Sequence, residues 1–346
     1  MSLTVLSVGY PLAAVSPDSA GGAEQILAAL DRALVAAGHR SVVVAPEGSC
    51  VAGKLHAIAP VPTDLDDAAK HRAQAETAAA IAAVRAREPI DLVHLHGIDF
   101  PAYLPEPGVP VLATLHLPPD WYPAGALSPT RPDTSIHCVS DAQHAVCPPS
   151  SRLLPPIANG VPVERLRAHN AKRRFALFLG RICPEKGVHL AIAAAREAAI
   201  PLVIAGQVYP YADHRRYFDE QVRPALGPAC RFLGPVGFAR KRRLLTAARS
   251  LLVPSLAAET SSLVAREAAA CGTAVIAFPN GAMAETVEHG RTGFVVEDVS
   301  AMAAAIRQVG RIEPEICRAV AAERFSEAAM VARYLALYAR LARREA

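Results

Sequence analysis

Two carboxylates, Glu259 and Glu267, lie eight residues apart in the segment ETSSLVARE, with hydroxyl residues and an apolar run between them. A helix is predicted to begin near Ser262, and Ser261 or Ser262 is expected to cap it. The first N–H groups of a helix bind anions such as phosphate. One acid on each side of a phosphate makes chemical sense if that phosphate joins two polyols. Glu267 would then accept the hydroxyls of a ribose, and Glu259 those of a second group.

Two cations, Arg181 and Lys186, occupy the glycine-bounded segment GRICPEKG. This segment follows an apolar run typical of a strand and precedes a helical pattern, so it is predicted to be a strand-to-helix loop. Arginine offers a planar fork and lysine a mobile point charge, and the two together can hold a diphosphate. A solvated surface loop is the alternative. With the two acids, the pair of cations indicates a nucleotide sugar as the ligand.

A second glycine-containing loop, SPDSAGGAEQIL, places Gly21 and Gly22 before a predicted helix. Paired glycines let a backbone approach a ligand closely, and the helix start supplies free N–H groups. A flexible loop leading into a helix explains the same residues. The G-x-G-x-x-G fingerprint and its acidic partner are absent from the sequence, which argues against a dinucleotide oxidoreductase.

The sequence indicates no metal site and no nucleic-acid partner. His94 and His96 alternate along a strand without a third ligand at a suitable spacing, so a structural or acceptor-facing role is favoured. The seven cysteines form no C-x-x-C pair and are expected to be buried and reduced. The net charge of +4 comes from dispersed basic residues. The run Arg240 to Arg243 is interpreted as a solvated helix face, with binding to anionic lipid as the alternative.

The 346 residues are long for one hydrophobic core, so two domains are expected. Short apolar runs alternate with amphipathic segments, which predicts an α/β protein with doubly wound parallel sheets. Predicted strands cover residues 3–8, 41–45, 92–95, 111–115, 136–139, 175–179, 201–205, 230–233, 251–254, 274–278 and 293–296. Predicted helices cover residues 24–37, 68–87, 187–199, 213–226, 238–248, 262–270, 299–309 and 326–344.

A proline-rich passage separates the two series of strands and marks the predicted domain joint. We assign residues 1–165 to an acceptor-binding domain and residues 166–325 to a donor-binding domain. Residues 326–346 form a helix whose apolar stripe, which includes Tyr334 and Tyr338, is expected to pack on the first domain. The N-terminus has no basic region typical of a signal peptide, and no apolar run is long enough to span a bilayer. A cytoplasmic location is therefore expected.

The order and spacing of these motifs resemble the retaining glycosyltransferases of family 4. The resemblance rests on LFLGRICPEKG, FLGPVG, LLVPS, the acid pair, and EAAACGTAVIAFPNGAMAETVEHGRTGFVVED in the second half. AGGAE and TLHLPPDW carry it in the first half. It implies the GT-B fold, with two Rossmann-like domains facing across a cleft. It also implies a nucleoside-diphosphate sugar as co-substrate, with no other cofactor.

The resemblance assigns a role to each candidate residue. Arg181 and Lys186 would bind the donor diphosphate, together with the helix start at Ser262, Leu263 and Val264. Glu267 would hold the ribose, Glu259 and His116 would contact the sugar, and Gly21 and Gly22 would lie near the phosphates and the acceptor. The segment from Phe232 to Val236 would meet the base through its backbone. His116, Arg181, Lys186 and Glu259 are the predicted catalytic residues.

The mechanism that the resemblance implies is a metal-independent transfer on one face of the sugar, in which the diphosphate accepts the proton of the attacking hydroxyl. A small metabolite or glycoside is the expected acceptor. Family members usually have Pro-Phe-Gly where this sequence has Thr260, Ser261 and Ser262, so the sugar that the site accepts is left open. The alternatives are a nucleotide-sugar epimerase and an inactive nucleotide-sugar-binding relative. The sequence does not specify the nucleotide or the oligomeric state.

Overall fold

The computed structural model describes residues 2–344 and divides the chain into two compact units. Unit 1 comprises Met1–Ala158 and Ala329–Ala346, and unit 2 comprises Asn159–Ala328. The first boundary precedes the predicted one, at residue 165, because the intervening segment belongs to the core of unit 2. Val161 is buried in that core, and its backbone N–H donates to Phe325 O at 2.8 Å.

Unit 1 contains a parallel sheet of seven strands in the order β3-β2-β1-β4-β5-β6-β7. The strands are β1 Thr4–Val8, β2 Arg40–Pro46, β3 Lys54–Ile58, β4 Leu92–Leu95, β5 Val111–Leu115, β6 Thr134–Cys138 and β7 Leu153–Leu154. The strands β3 and β7 were not predicted. Both lie at the edges of the sheet and are only partly buried, so neither has the continuous apolar run of a central strand.

Unit 2 contains a parallel sheet of six strands in the order β10-β9-β8-β11-β12-β13. The strands are β8 Ala176–Leu179, β9 Leu202–Ala205, β10 Cys230–Phe232, β11 Ser250–Val253, β12 Ala274–Ala277 and β13 Gly293–Val295. Both sheets therefore have the doubly wound parallel architecture that the alternating pattern predicts. In unit 2 the strand order reverses between β8 and β11, and such a switch point is where open α/β sheets bind ligands.

The α-helices cover both faces of the sheets, and apolar residues are buried beneath them. The helices are α1 Gly22–Ala36, α2 Asp67–Arg87, α3 Asp141–Ala145, α4 Val163–Leu166, α5 Val188–Glu197, α6 Ala212–Tyr217, α7 Phe238–Ala247, α8 Leu263–Ala270, α9 Met283–Thr286, α10 Val299–Gln308, α11 Pro314–Arg324 and α12 Glu327–Ala342. Within residues 2–344, none of these helices has the length and apolarity needed to cross a bilayer.

A buried polar network joins α12 to the sheet of unit 1. The Tyr338 hydroxyl lies 2.7 Å from His94 Nδ1, and His94 Nε2 lies 2.7 Å from Thr114 Oγ1. Thr114 Oγ1 also lies 2.7 Å from His137 Nε2. His94 and His96 are thus core residues, and both are hydrogen-bonded. The network gives them a structural role, which is one of the two roles that the sequence left open.

The buried histidines predict acid sensitivity of unit 1. Burial lowers the pKa of His137 from 6.5 to about 4, and burial also lowers the pKa of His94 and His96. Between pH 6.5 and about pH 4, His137 binds a proton in the unfolded chain but not in the folded one. The free energy of unfolding therefore falls as the pH drops below about 6.5. At pH 5 we expect His137 alone to cost about 2 kcal/mol of unfolding free energy.

The single tryptophan, Trp121, belongs to unit 1, so urea unfolding followed by its fluorescence reports on this unit. The apparent unfolding free energy should drop between pH 7 and pH 5. A His137→Gln variant, whose amide does not titrate, should lose about 2 kcal/mol less than the wild type over the same interval. Equal pH dependence of the two proteins would contradict the assignment.

Candidate functional site

The loops that follow β8 and β11 meet at the switch point of unit 2. The backbone N–H of Leu256 donates to Glu185 O at 2.8 Å, which joins the two loops directly. Gly187 adopts a left-handed conformation with φ 64°, and a Cβ atom added there would lie 2.1 Å from Pro254 O. The glycine that closes GRICPEKG is thus required by backbone packing. It holds the two predicted ligand-binding loops against each other.

A buried acid and a lysine link these loops through their side chains. Lys186 Nζ lies 2.6 Å from Glu259 Oε1, and the exposed fractions of the two side chains are 28% and 8%. The Ser255 hydroxyl donates to the same carboxylate oxygen. Burial alone would raise the pKa of Glu259. The charge of Lys186, the hydrogen bonds from Lys186 and Ser255, and the charge of Arg181 outweigh burial and lower the pKa.

The backbone around Glu259 is held by a third loop, which follows β12. Glu259 N donates to Asn280 O at 3.3 Å, and Ala282 N donates to Glu259 O at 2.7 Å. The Asn280 side chain donates to Ser255 O at 2.6 Å. Glu259 is therefore fixed by main-chain contacts as well as by its ion pair. The sequence reasoning did not identify Ser255 or Asn280 as supporting residues.

Arg181 is half-buried in the loop after β8 and is close enough to Glu259 to lower its pKa. Between the two cations of this loop, Cys183 is buried, and burial raises the pKa of its thiol to about 12. The ligand atoms of Cys183, Glu185 and His214 lie within 4.8 Å of one another. These three residues have the donor types that bind a divalent metal.

The helix α8 begins at Leu263, close to the predicted start, but its cap differs from the prediction. Ser262 occupies the capping position and makes no side-chain capping hydrogen bond. The hydroxyl oxygens of Ser261 and Ser262 are both buried without a hydrogen-bond partner among the described residues. The prediction that one of these serines caps the helix is therefore wrong. The first N–H groups of α8, including those of Leu263 and Val264, are left without a hydroxyl cap.

Glu267, inside α8, forms a buried ion pair with Lys241 of α7. The exposed fractions of these side chains are 9% for Lys241 and 3% for Glu267. The second carboxylate oxygen of Glu267 is buried and has no partner within residues 2–344. The interpretation of the run Arg240 to Arg243 as a solvated face is thus wrong at Lys241. Lys241 lies one turn before Leu245, and this spacing on the apolar face of α7 was the available signal.

The segment from Phe232 to Val236 begins at the last residue of β10, at the edge of the same sheet. Phe232 packs on Phe218 with 4.9 Å between ring centroids, and Val236 is half-buried. Gly206, after β9, donates its N–H to Gly234 O at 2.9 Å. Ile182 N also donates to Gln207 O at 2.9 Å, so the loops after β8, β9 and β10 are hydrogen-bonded in sequence along one end of the strands.

The other predicted site residues, Gly21, Gly22 and His116, belong to unit 1. Gly21 precedes α1, and a Cβ atom added there would lie 1.9 Å from a carboxylate oxygen of Glu24. The glycine therefore makes room for an acidic side chain that folds over the helix start. His116 follows β5 and is half-buried, and its Nε2 lies 3.0 Å from Nδ1 of His96. Burial lowers the pKa of His116 to about 3.

The Lys241–Glu267 pair predicts a strong dependence of unit 2 on one lysine. A Lys241→Ala variant leaves the Glu267 carboxylate buried and unpaired, which should lower the free energy of unfolding by about 3–5 kcal/mol. Urea unfolding followed by circular dichroism measures this loss. Arg243→Ala, on the exposed part of the same helix, is the control and should change stability by less than about 0.5 kcal/mol. A Lys241→Ala variant as stable as the control would contradict the pairing.

Two family models match the chain, and together they cover most of it. Residues 20–153 match a model described as "Glycosyltransferase Family 4", and residues 173–311 match one described as "Glycosyl transferases group 1". Among curated proteins, a glycogen synthase of Mycobacterium tuberculosis is 36% identical over 141 residues, which are 38% of this chain and 33% of the relative. The chain thus aligns with only about a third of the length of that relative.

Solved structures show the same architecture over nearly the whole chain. AviGT4, a glycosyltransferase involved in avilamycin A biosynthesis, is 25% identical with a TM-score of 0.72 and covers 98% of each chain. Anabaena Alr3699/HepE, in complex with UDP-glucose, is 18% identical with a TM-score of 0.72 and covers 96% of this chain and 99% of its own. With its two parallel-sheet units and both family matches, the chain belongs to the family 4 glycosyltransferases of the GT-B fold.

Proposed function

We propose that this protein transfers a sugar from a nucleoside-diphosphate sugar to a hydroxyl group of a small metabolite or glycoside, with retention of configuration at the sugar. Family membership supports a glycosyl transfer. The UDP-glucose bound by Anabaena Alr3699/HepE supports a donor of the same class. The complete reaction is part of the proposal, because the curated relative aligns with this chain over only 33% of its own length.

One observation carries the proposal, namely the positive groups that converge at the switch point between β8 and β11. Arg181 and Lys186 lie in the loop after β8, and α8 begins at the end of the loop after β11. A diphosphate bound there would meet two cations and the N–H groups of a helix start, which lacks a side-chain cap. It would also meet the unpaired hydroxyls of Ser261 and Ser262, whose buried oxygens lack a hydrogen-bond partner among the described residues.

The two acids suit the groups on either side of that diphosphate. The unpaired oxygen of Glu267 is assigned to a ribose hydroxyl, with Lys241 holding the other oxygen. Glu259 is assigned to a sugar hydroxyl, and its lowered pKa keeps it an acceptor at neutral pH. The backbone from Phe232 to Val236 is assigned to the base. Gly21, Gly22 and His116 are assigned to the acceptor side and the sugar.

In the proposed mechanism, the bond between the sugar C1 and the diphosphate oxygen breaks while the acceptor oxygen bonds to C1 on the same face. The acceptor proton passes to an oxygen of the departing phosphate. Negative charge grows on the leaving group, where Arg181 and Lys186 stabilise it. Lys186 is held by Glu259 before the donor binds, so it is already oriented. The mechanism requires no divalent metal in the transfer step.

The test is incubation of the full chain with a panel of nucleoside-diphosphate sugars, with and without hydroxyl acceptors, followed by chromatography of the nucleotides. The proposal expects release of the nucleoside diphosphate, slowly with water and faster with a suitable acceptor. An isomerised donor would identify an epimerase instead. Binding detected by a thermal shift without any turnover would identify an inactive relative.

Removal of either cation should abolish transfer. With the donor that gives turnover, Lys186→Ala and Arg181→Ala should each lower kcat/KM by about 100-fold or more, because each removes a preorganised charge at the leaving group. Arg240→Ala, an exposed arginine on α7, is the control and should keep full activity. Circular dichroism verifies that the variants are folded. A folded Lys186→Ala or Arg181→Ala enzyme with near-normal turnover would contradict the role of these cations in stabilising the leaving diphosphate.

A further inference from the structure

A second cluster of chemical groups lies beside the loop that carries Arg181 and Lys186. Cys183 belongs to this loop, Glu185 to the short 3₁₀ turn Pro184–Lys186, and His214 to α6. Their ligand atoms lie within 4.8 Å of one another. Cys183 and His214 are buried, and Glu185 is half-buried. None of the roles proposed above for sugar transfer uses these three side chains.

Two atoms of this cluster are buried without a hydrogen-bond partner among the described residues. They are one carboxylate oxygen of Glu185 and Nδ1 of His214. A buried polar atom without a partner is energetically unfavourable, and more so when the group is charged. Such atoms are rare in folded proteins, and each points to a water or an ion that satisfies it. Here two of them belong to side chains that also adjoin a buried thiol.

We propose that Cys183, Glu185 and His214 bind a divalent zinc-type ion. A thiolate, a carboxylate and an imidazole are the three ligand types found in zinc sites. The thiolate and the carboxylate together balance the charge of a divalent cation, so the occupied cluster is neutral. Calcium and magnesium prefer sites made only of oxygen atoms, and a buried cysteine and histidine do not suit them.

Binding would draw the ligands together slightly. Ligands at about 2.0–2.3 Å from a tetrahedral zinc ion are about 3.3–3.8 Å from one another. The distances between the ligand atoms, now up to 4.8 Å, would therefore shorten by about 1 Å, and rotation of the side chains can produce this change. Three protein ligands leave the fourth position of the ion to a water molecule. The ion would then join α6 to the loop that carries Arg181 and Lys186.

Cysteine spacing alone does not reveal this site. The ligands come from two elements separated by a strand and a helix, and the only cysteine among them has no C-x-x-C partner. The search for metal sites in the sequence therefore predicted none. The fold supplies the juxtaposition, because the loop after β8 and the start of α6 lie at the same end of adjacent parallel strands.

The experiment uses the full chain, stripped with a chelator and reloaded with zinc in the presence of a competing chelator. We expect the wild type to retain one zinc ion per chain by elemental analysis. Cys183→Ser and His214→Gln should each lose it. Cys230→Ser is the matched control, since Cys230 is a buried cysteine of the same unit, and it should retain the ion.

Cobalt loading adds a readout that depends on the thiolate. The wild type and Cys230→Ser should show a sulfur-to-cobalt charge-transfer band, and Cys183→Ser should not. Glu185→Gln, which keeps the shape of the side chain, should weaken zinc binding at least tenfold. Its circular dichroism should match that of the wild type, so the loss is not one of folding. The proposal fails if the wild type retains no zinc against the chelator, or if Cys183→Ser and His214→Gln retain as much as the control.

Discussion

The ion pair between Lys186 and Glu259 is the interaction on which the candidate site depends. Its two partners come from loops that follow adjacent strands, and a buried carboxylate is stable there only because a cation accompanies it. The pair therefore fixes the position of the lysine that we propose to bind a diphosphate. The ammonium group of Lys186 carries three N–H donors, so under the proposed function it binds a diphosphate while it remains paired with Glu259.

A second buried acid, Glu267 in the second turn of α8, is also paired with a lysine. Lys241 neutralises one oxygen of Glu267 and leaves the other buried and unsatisfied. A fully paired acid would have nothing to offer a hydroxyl, and an unpaired acid would be too costly to bury. With one oxygen paired and the other unsatisfied, Glu267 keeps one free acceptor, which makes the folded state less stable. The two acids of the segment ETSSLVARE are therefore both held by lysines, each from a different element.

Much of this arrangement is predictable from sequence, and the remainder fails for physical reasons. Apolar runs locate the central strands within a few residues, and the segment GRICPEKG was correctly predicted to be a strand-to-helix loop. Edge strands such as β3 escaped because a partly buried strand lacks a continuous apolar run. The serine cap was wrong because propensity describes hydroxyls in isolation, whereas both hydroxyls here are buried beside a helix start.

Long-range pairings were the least predictable part. Nothing in the local pattern of Arg240 to Arg243 says that Lys241 faces an acid on another helix, although its spacing from Leu245 hints that it points inward. The cluster of Cys183, Glu185 and His214 is likewise created by the return of the chain along a parallel sheet. Local spacing reports what one element can do, and the topology decides which elements meet.

The position of α12 has a consequence for biosynthesis. Unit 1 is built from the first part of the chain and from this last helix, whose tyrosines complete the hydrogen bonds of His94 and Thr114. Unit 2 is continuous in sequence, so all of its residues are synthesised before α12 is complete. The sheet of unit 1 is synthesised before α12, so His94 and Thr114 lack their phenolic partners until α12 has been translated.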